Sequence, residues 1–378
     1  MNASELAHWY VNTNATKWRT PTPLQSALGF HQAIDGYQPT ELAELPSIAK
    51  ELGVGQVYLK DESNRLGLPA FKILGASWAV CRRLSEWLDS DPLGMTVTAL
   101  RTRIAAELSE PRDITLTTAT DGNHGRAVAR MAAALGVTAR IYIPRGVGQS
   151  AIAAIASEGA DVQILDCSYD DAVTHAYQSS LGQPLDFLIQ DTSWSGYVDV
   201  PRWIVEGYGT LFTEIDQSLA TRGLTADLVI CPVGVGSLAE ALVDYYRSGP
   251  IRPALLSVEP VTAACVAESL TVGRRVSVEI TESSIMAGLS CGTPTESGWP
   301  TLQSGLSAAV SISDDETRLA MRDLTALGQD AGPCGAATLA GARAALADEG
   351  RMGSLNLDSD SVIVLISTEG TAANPLIL

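Results

Sequence analysis

Lysine is scarce in this chain, so a catalytic lysine has few candidate positions. Of the 25 basic residues, the lysines are Lys17, Lys50, Lys60 and Lys72. Lys72 follows a loop with glycine and proline and opens a predicted helix, where burial and the helix N-terminus would both lower the pKa of its amine. Such an amine suits Schiff-base chemistry. Taken alone, the stretch favours a solvated surface lysine; the scarcity of lysines and the glycine turn described next shift the balance toward Lys72. Lys60 stands beside acidic residues and is expected to be ion-paired.

A glycine-rich turn follows the predicted strand 226–232 and precedes a helix. Small residues there let backbone N–H groups converge, and the helix N-terminus adds positive potential, so the turn can hold a phosphate. The spacing from Gly234 to Ala239, with Glu259 ending the next strand, also fits a nicotinamide or flavin dinucleotide. A tight turn without a ligand is the third interpretation. The turn residues are Gly234, Val235, Gly236 and Ser237.

Polar side chains also stand where other predicted strands end. Asp121, Asn123 and His124 follow the strand 113–118. Either Asp121 or Asn123 could be a plain helix cap. Asp191 ends a later strand, and two carboxylates at neighbouring strand ends could serve as acid and base toward one ligand. The last strand ends in the hydroxyls of Ser367 and Thr368.

Short apolar runs that alternate with alanine-rich stretches must position these side chains. The pattern predicts two interleaved three-layer α/β/α domains with mostly parallel sheets. Ligands bind at the carboxyl ends of such strands. We expect a larger domain over 1–75 and 196–378 and a smaller one over 76–195, with 89–112 as a surface excursion. The predicted strands are 56–60, 113–118, 139–144, 161–166, 186–191, 226–232, 254–260 and 361–367; the predicted helices are 71–88, 123–136, 149–158, 169–180, 202–221, 237–247, 314–327 and 335–347.

The composition excludes several classes of protein. With 43 acidic and 25 basic residues the net charge is −18, which argues against nucleic-acid or anionic-membrane binding through a general positive field. No uncharged apolar run reaches the length of a membrane span. The six cysteines show no C-x-x-C pair and the four histidines are scattered, so neither a metal site nor a disulfide framework is indicated. The N-terminus lacks a signal-type apolar core, and we expect a cytoplasmic protein.

These segments together resemble the fold-type II pyridoxal 5′-phosphate enzymes of the tryptophan synthase β-like family, and specifically the diaminopropionate ammonia-lyases. The resemblance runs in order from about Gln32 to Gly370. The lysine and glycine motifs are shared by many fold-type II enzymes, whereas T-D-G-N-H-G and Q-D-T-x-W are particular to this lyase. The matching motifs are K-D-E-S (60–63), F-K-x-L-G (71–75), T-D-G-N-H-G-R (120–126), Q-D-T-x-W-x-G-Y (190–197), the G-V-G loop (234–236), I-M-A-G-L-x-C-G (285–292) and S-T-E-G (367–370).

The resemblance implies a pyridoxal phosphate enzyme that eliminates ammonia from 2,3-diaminopropionate to give pyruvate, and a homodimer. It implies that Lys72 forms the Schiff base, that Asp121 and Asp191 are acid/base groups near Cα, and that Asn123 bonds the cofactor's phenolic oxygen. By the same resemblance the 234–237 turn binds the phosphate, and Thr368, with Ser367 as the second choice, meets the pyridine nitrogen. Two carboxylates on opposite faces could handle both substrate enantiomers.

The chain departs from the family at one place. Where the family has Glu-Ser-Gly-Ala, this chain has Gly-Pro-Cys-Gly-Ala at 332–336. Alternatives therefore remain: elimination or replacement on another β-substituted amino acid, as in serine or threonine dehydratases, a nicotinamide-dependent oxidoreductase, or an idle metabolite-binding protein. Cys265 and Cys291 lie in segments that resemble family segments near the pocket entrance. We expect two buried free thiols there rather than a disulfide.

Overall fold

Two sheets organise residues 9–375, the part of the chain that the computed structural model describes. The strands are β1 (Trp9–Val11), β2 (Leu42–Glu44), β3 (Gln56–Asp61), β4 (Thr115–Ala119), β5 (Thr138–Ile143), β6 (Asp161–Ile164), β7 (Asp186–Leu188), β8 (Leu228–Pro232), β9 (Ala254–Pro260), β10 (Ala308–Ile312) and β11 (Val362–Ser367).

The helices, which alternate with these strands, differ widely in length. They are α1 (Leu28–Gln32), α2 (Pro46–Leu52), α3 (Ile73–Trp87), α4 (Val97–Glu107), α5 (Asn123–Leu135), α6 (Gln149–Ser157), α7 (Tyr169–Ser180), α8 (Asp199–Ala220), α9 (Ser237–Ser248), α10 (Cys265–Val272), α11 (Trp299–Gly305), α12 (Asp314–Ala326), α13 (Pro333–Leu346) and α14 (Glu349–Ser354).

The first unit contains a seven-stranded sheet and comprises the chain up to residue 25, from 39 to 65 and from 211 onwards. The strand order is β1-β10-β9-β8-β11-β3-β2. The inner strands are parallel, and β1 and β2 pair antiparallel at the two edges. Every residue of β8, β9, β10 and β11 is buried, as expected for parallel strands that are covered on both faces. Mostly parallel sheets confirm the predicted fold class.

The second unit contains a four-stranded parallel sheet, of order β6-β5-β4-β7. It comprises residues 26–38 and 66–210. All of β4 is buried, and α5 packs on β4 and β5. The carboxyl ends of β4 and β7 are neighbours because those strands pair in parallel, so the residues that follow them share one sheet edge.

Close packing of α3 on α8 assigns residues 66–75 and 196–210 to this second unit, although the sequence placed them in the larger domain. A Cβ on Gly75 would lie 2.5 Å from the Tyr208 ring, so only glycine permits this approach of the two helices. His31 adds a link between them: its ring nitrogens lie 2.7 Å from Thr210 Oγ1 and 2.9 Å from the carbonyl of Leu74. Residues 26–38 join the same unit through such contacts.

The stretch 89–112, predicted as a surface excursion, contains the helix α4. Thr96 caps this helix by accepting from the backbone N–H of Ala99 at 3.0 Å. Leu100 and Ile104, four residues apart, are fully buried, which anchors one face of α4. Most of the stretch is exposed, as a surface excursion should be. The helix itself was not predicted, because Leu100 and Ile104 are its two buried positions, too few for a periodic signal.

A buried ionic network surrounds Lys60 in the first unit. Lys60 Nζ donates to Glu214 at 2.5 Å, and Arg65 donates to both Glu214 and Glu62 at 2.7 and 2.6 Å. Burial lowers the pKa of Lys60, partly offset by the two glutamates. The expected ion-paired role of Lys60 is confirmed, with a distant glutamate as its direct partner.

Candidate active site

Lys72 and Asp191 form an ion pair in the second unit. Lys72 immediately precedes α3, and Asp191 lies three residues beyond the end of β7. Lys72 Nζ donates to Asp191 Oδ2 over 3.0 Å, and the two side chains are 28% and 14% exposed. The fold therefore joins two residues that the sequence places at separate turns.

Two aromatic rings lie beside the Lys72 ammonium. Nζ is 5.6 Å from the Phe71 ring centroid and 5.9 Å from that of Tyr208. Burial alone would lower the pKa of Lys72, but Tyr208 and Asp191 outweigh it and raise this pKa well above its ordinary value. The predicted low pKa is wrong for the paired amine, because the carboxylate stabilises the charged form.

Asp121 projects from the loop between β4 and α5 and does not cap the helix. Thr120 Oγ1 fills that role by accepting from the backbone N–H groups of Gly122 and Gly125 at 3.0 and 3.1 Å. No side chain caps α5 from the Gly122 position itself. The Asp121 carboxyl is therefore available to act on a ligand, and it is exposed to solvent.

The pKa values of the two aspartates move in opposite directions. Desolvation and the neighbouring Asp191 carboxylate raise the pKa of Asp121 against the opposing effect of Lys72. Burial would also raise the pKa of Asp191, but His124 and Lys72 outweigh it and bring it to about 2. Carboxyl pairs whose environments separate their pKa values are typical of acid–base sites.

Asn123 and His124 are the first two residues of α5. Asn123 is half-buried, whereas His124 is 4% exposed. His124 Nε2 lies 2.7 Å from the carbonyl oxygen of Ile189, and Nδ1 lies 3.8 Å from Asp191 Oδ2. His124, which the sequence left open between a structural and a functional role, thus borders the Lys72–Asp191 pair.

The glycine turn of the first unit connects β8 to α9. Gly236 has φ +109°, a value that favours glycine, and a Cβ there would lie 2.7 Å from Leu302. A Cβ on Gly234 would lie 2.8 Å from the carbonyl of Gly288. The twelve-residue helix α9 begins without a side-chain cap, so its first N–H groups remain for an anion. The turn and helix end fit a phosphate.

Glu259 does not fit the dinucleotide interpretation. It is fully buried at the end of β9. Its two oxygens accept from the backbone N–H groups of Val266 and Ala267 at 2.8 and 2.7 Å. Burial raises the pKa of Glu259 to about 8, although these two hydrogen bonds act to lower it. Glu259 therefore stabilises the start of α10, and both of its carboxyl oxygens are already engaged rather than presented to a ribose.

The last strand ends in a buried hydroxyl. Ser367 is fully buried, and within residues 9–375 its Oγ has no hydrogen-bond partner. A Cβ on Gly335 would lie 2.5 Å from this oxygen. Thr368 is 5% exposed. A hydroxyl without a partner fits a polar ligand atom, and this observation favours Ser367, the second choice of the sequence analysis, over Thr368.

The departing segment 332–336 begins α13 and packs on the turn after β11. The N–H of Gly332 donates to the Glu369 carbonyl at 2.9 Å, and that of Cys334 to Glu369 Oε1 at 3.3 Å. Pro333 is the first residue of the helix, where its missing N–H costs nothing. Glu369, which follows Ser367 and Thr368 in the chain, thus holds the segment through these two hydrogen bonds.

Cys265 and Cys291 flank the glycine turn as free thiols. Cys265 Sγ lies 3.8 Å from the Gly234 carbonyl, and a Cβ on Gly234 would lie 3.0 Å from Cys291 Sγ. Burial, with Glu259 adding to it, raises the pKa of Cys265. The expectation of free thiols is confirmed, although Cys291 is only half-buried.

Tyr169 and Tyr208 were not predicted from the sequence, although both raise the pKa of Lys72. Tyr169 opens α7 just beyond β6, so its place at a strand-to-helix turn was a usable signal. Tyr208 lies in the middle of α8, where only folding reveals its neighbours. Burial raises the pKa of Tyr208 to about 12.

Residues 9–375 contain neither a metal-ligating cluster nor a membrane-spanning helix. No cluster of three or more metal-ligating side chains occurs in this part of the chain. Within the same residues, none of the helices has the length and hydropathy to cross a membrane. His8, one of the scattered histidines, lies outside the described residues.

Comparison with known proteins gives consistent matches. A family model for pyridoxal-phosphate dependent enzymes matches residues 33–369. The diaminopropionate ammonia-lyase of Escherichia coli strain K12 is 36% identical over 90% of this chain and 86% of that protein. The enzyme of the same name from Salmonella typhimurium strain LT2 is 34% identical over 97% of this chain and 95% of that protein.

Solved structures agree with these sequence matches. The holo diaminopropionate ammonia-lyase from Escherichia coli superimposes with a TM-score of 0.87 at 34% identity, over 97% of this chain and 94% of that one. The same enzyme in complex with an aminoacrylate-PLP azomethine reaction intermediate gives a TM-score of 0.84 at 34% identity, with the same coverage.

Proposed function

This chain belongs to the pyridoxal-phosphate dependent enzymes and, among them, to the diaminopropionate ammonia-lyase family; on that premise we propose that it eliminates ammonia from 2,3-diaminopropionate. The products are pyruvate and ammonia, and water is consumed. The observation that carries the proposal is the Lys72–Asp191 ion pair with Asp121 beside it, because it joins an amine to two carboxyl groups of opposite pKa shift.

The residues that hold the cofactor are proposed from the fit of each position. Lys72 would carry it covalently, and the backbone N–H groups of the 234–237 turn would hold its phosphate. Asn123 would donate to the phenolic oxygen, and a hydroxyl at the end of β11, Thr368 or Ser367, would meet the ring nitrogen. When bound, pyridoxal phosphate acidifies the substrate Cα–H by delocalising the electron pair left behind.

The aspartates then divide the proton chemistry. Asp191, with a pKa of about 2, stays ionised; it pairs with the Lys72 ammonium before the cofactor is bound and is the base proposed for the D-enantiomer. Asp121, with a raised pKa, is the stronger base of the two in this arrangement and is poised to take a proton from Cα. The electron pair left on Cα would form a double bond to Cβ as the Cβ–N bond breaks, so that the β-ammonium group leaves as neutral ammonia. Water would then hydrolyse the remaining enamine to pyruvate and a second ammonia.

A second candidate function follows from the departing segment. Cys334 and its neighbours replace the family's residues at the start of α13, close to Glu369 and therefore to the end of β11. A changed pocket there would admit another β-substituted amino acid, such as serine or threonine, or favour β-replacement over elimination.

We also propose that the enzyme works in the cytoplasm as a homodimer. Free cysteines throughout the described chain suit a reducing compartment, and the family resemblance supports the dimer. Light scattering on the purified protein measures the assembly directly; a monomer at working concentration would refute that part of the proposal.

Assays of pyruvate and ammonia test the reaction. The purified enzyme should release both from 2,3-diaminopropionate faster than from serine, threonine or other β-substituted amino acids. Lys72→Ala should abolish turnover, and Lys50→Ala, at an exposed lysine, is the matched control that should retain it. Faster release from serine or threonine would establish the second candidate, and product formation by Lys72→Ala at the original rate would reject both.

A further inference from the structure

The side-chain amide of Gln190, two residues beyond the end of β7, is fully buried and has a single orientation. Its Oε1 accepts from the backbone N–H of Ala119 at 3.0 Å and from Thr118 Oγ1 at 2.9 Å. A backbone N–H can only donate, so the amide oxygen must face β4. The amide nitrogen is therefore directed away from β4.

The amide nitrogen of Gln190 reaches two residues of the candidate active site. Nε2 donates to Asp191 Oδ1 at 3.3 Å and to Tyr169 Oη at 3.1 Å. A primary amide has two hydrogens and two acceptor lone pairs, so the four hydrogen bonds use its whole capacity. Gln190 thus ties the Asp191 carboxylate to the end of β4.

The backbone of Gln190 is held as well. Its N–H donates to Tyr197 Oη at 2.9 Å, and that hydroxyl donates to the Leu188 carbonyl at 2.9 Å. The register of β7 with β4 ends at Leu188, so the amide of Gln190 continues the bonding between the two strands beyond their last paired residues. A group fixed through both its backbone and its side chain can hold a neighbour in one geometry.

The two oxygens of Asp191 have different partners. Oδ2 accepts from Lys72 Nζ at 3.0 Å, whereas Oδ1 accepts from Gln190 at 3.3 Å. In the proposed function the Lys72 amine is taken up by the cofactor and no longer pairs with Oδ2. The bond from Gln190 does not involve Lys72, so it still restricts rotation of the carboxylate at that stage.

We propose that Gln190 is a positioning residue that orients Asp191 toward the Cα proton of the D-enantiomer while Lys72 is engaged by the cofactor. By holding Oδ1, the amide leaves Oδ2, the oxygen that Lys72 gives up, to accept this proton. The electron pair of the broken Cα–H bond stays on Cα, and Gln190 itself exchanges no proton. The inference rests on the proposed function, in which Asp191 is the base for the D-form.

Rates of the holoenzyme on the two enantiomers of 2,3-diaminopropionate test this positioning. Gln190→Met keeps the length of the side chain and removes the amide. It should lower kcat on the D-form by about tenfold or more, because the base is no longer held in line with its proton. The kcat on the L-form and both KM values should change by less than about threefold.

Carbon NMR on the full-length protein freed of cofactor gives a readout that does not depend on turnover. With aspartate labelled at its side-chain carboxyl carbon, the resonance that Asp191→Asn removes belongs to Asp191. Gln190→Met should raise the pKa of Asp191 from about 2 by about one unit, because a donor to its charged form is lost. His124 and Lys72, which lower this pKa, and the neighbouring Asp121 are unchanged in the variant.

Thr117→Val is the matched control for a loss of bonding between the same two strands. Thr117 Oγ1 donates to Asp186 Oδ1 at 2.5 Å, which links β4 to β7 without touching Asp191. This variant should lower the free energy of unfolding but leave the ratio of the D and L rates and the pKa of Asp191 unchanged. If Gln190→Met does not fold, Gln190→Glu replaces it, since one carboxyl oxygen still accepts from Ala119 and the ionised group cannot donate.

The proposal is overturned if the Gln190 variants leave the pKa of Asp191 unmoved. It is also overturned if they lower the D and L rates in equal proportion although Asp191→Asn acts mainly on the D-form. Failure of the proposed function looks different. In that case the Gln190 variants still raise the pKa of Asp191, but Asp191→Asn itself shows no preference for the D-form or the wild type releases no pyruvate from either enantiomer.

Discussion

At the scale of single residues, Asp121 and Asp191 differ in pKa because different groups surround their carboxyl groups. Asp191 is held by Lys72 at 3.0 Å and faces His124, and so it remains anionic. Asp121 has no such partner, reaches solvent and sits in the field of another carboxylate. Identical side chains are thereby given different proton affinities by their neighbours.

We predict that these aspartates divide the work by substrate stereochemistry. The Cα proton points to opposite faces of the cofactor in the two enantiomers, so one fixed base cannot reach both. Asp191→Asn should mainly lose activity on the D-form and Asp121→Asn on the L-form, each by roughly 10²–10⁴-fold. Rates of both variants on both enantiomers measure this. Equal proportional losses, or full activity of either variant on both, would show that there is no division.

The pH dependence of kcat/KM for the L-form should report Asp121. A base must be unprotonated, so activity falls as the pH drops through the pKa of Asp121, which lies above the ordinary 3.8. Asp191→Asn removes the negative charge that raises this pKa, and the acid limb should therefore move to lower pH. A limb that stays in place or moves to higher pH would assign it to another group.

At the scale of elements, the turn between β8 and α9 depends on its backbone geometry. We predict that Gly236→Ala weakens retention of pyridoxal phosphate, because alanine disfavours φ +109° and its Cβ would overlap Leu302. Gly249→Ala, at the other end of α9 and with a negative φ, is the matched control. Equilibrium dialysis of the cofactor compares them. Equal retention by both variants would remove the turn from the phosphate site.

The buried network around Lys60 should contribute strongly to folding. Glu214→Gln leaves Lys60 and Arg65 short of a buried anion, and we predict a loss of about 3–5 kcal/mol in the free energy of unfolding by urea. Asp166→Asn breaks the exposed pair with Arg145 and should cost less than about 1 kcal/mol. Similar losses of unfolding free energy in the two variants would show that the buried network contributes no more than an exposed ion pair.

The same network has a pH signature with a defined sign. The pKa of Glu214 is lowered from 4.5 to about 2, because Arg65 and Lys60 outweigh the effect of burial. A depressed carboxyl pKa stabilises the fold above the unfolded value and loses this contribution as the pH falls toward the folded one. Stability that depends on Glu214 should therefore decline between about pH 5 and 2 in wild type and not in Glu214→Gln.

At the scale of the whole molecule, most of the buried parallel strands were predictable, whereas the buried strand β10 and the two edge strands were not. Strands such as β8 and β11 are apolar runs bounded by turns, which is the strongest signal for a strand covered on both faces. The antiparallel edge strands β1 and β2 are three residues long and too short for any periodicity. They form because a neighbouring strand offers backbone groups to pair with.

The candidate site, too, could be predicted from the sequence only in part. Lys72, Asp121 and Asp191 stand at turns, where the rule for ligand binding in parallel sheets finds them. Their mutual contacts, and the raised pKa of Lys72, depend on how α3 packs against α8 and β7. Tyr208, in the middle of α8, carries no local signal at all. Position along a strand is thus encoded locally, whereas charge state is a property of the folded unit.

The most direct test of the central claim is to reduce the holoenzyme with borohydride and map the labelled peptide. We predict loss of the visible absorbance band and a pyridoxyl group on Lys72 alone. Lys60, fixed on Glu214 and 1% exposed, should remain unlabelled. A pyridoxyl group on Lys17, Lys50 or Lys60, or no labelled lysine in a protein that retains pyridoxal phosphate, would contradict the account.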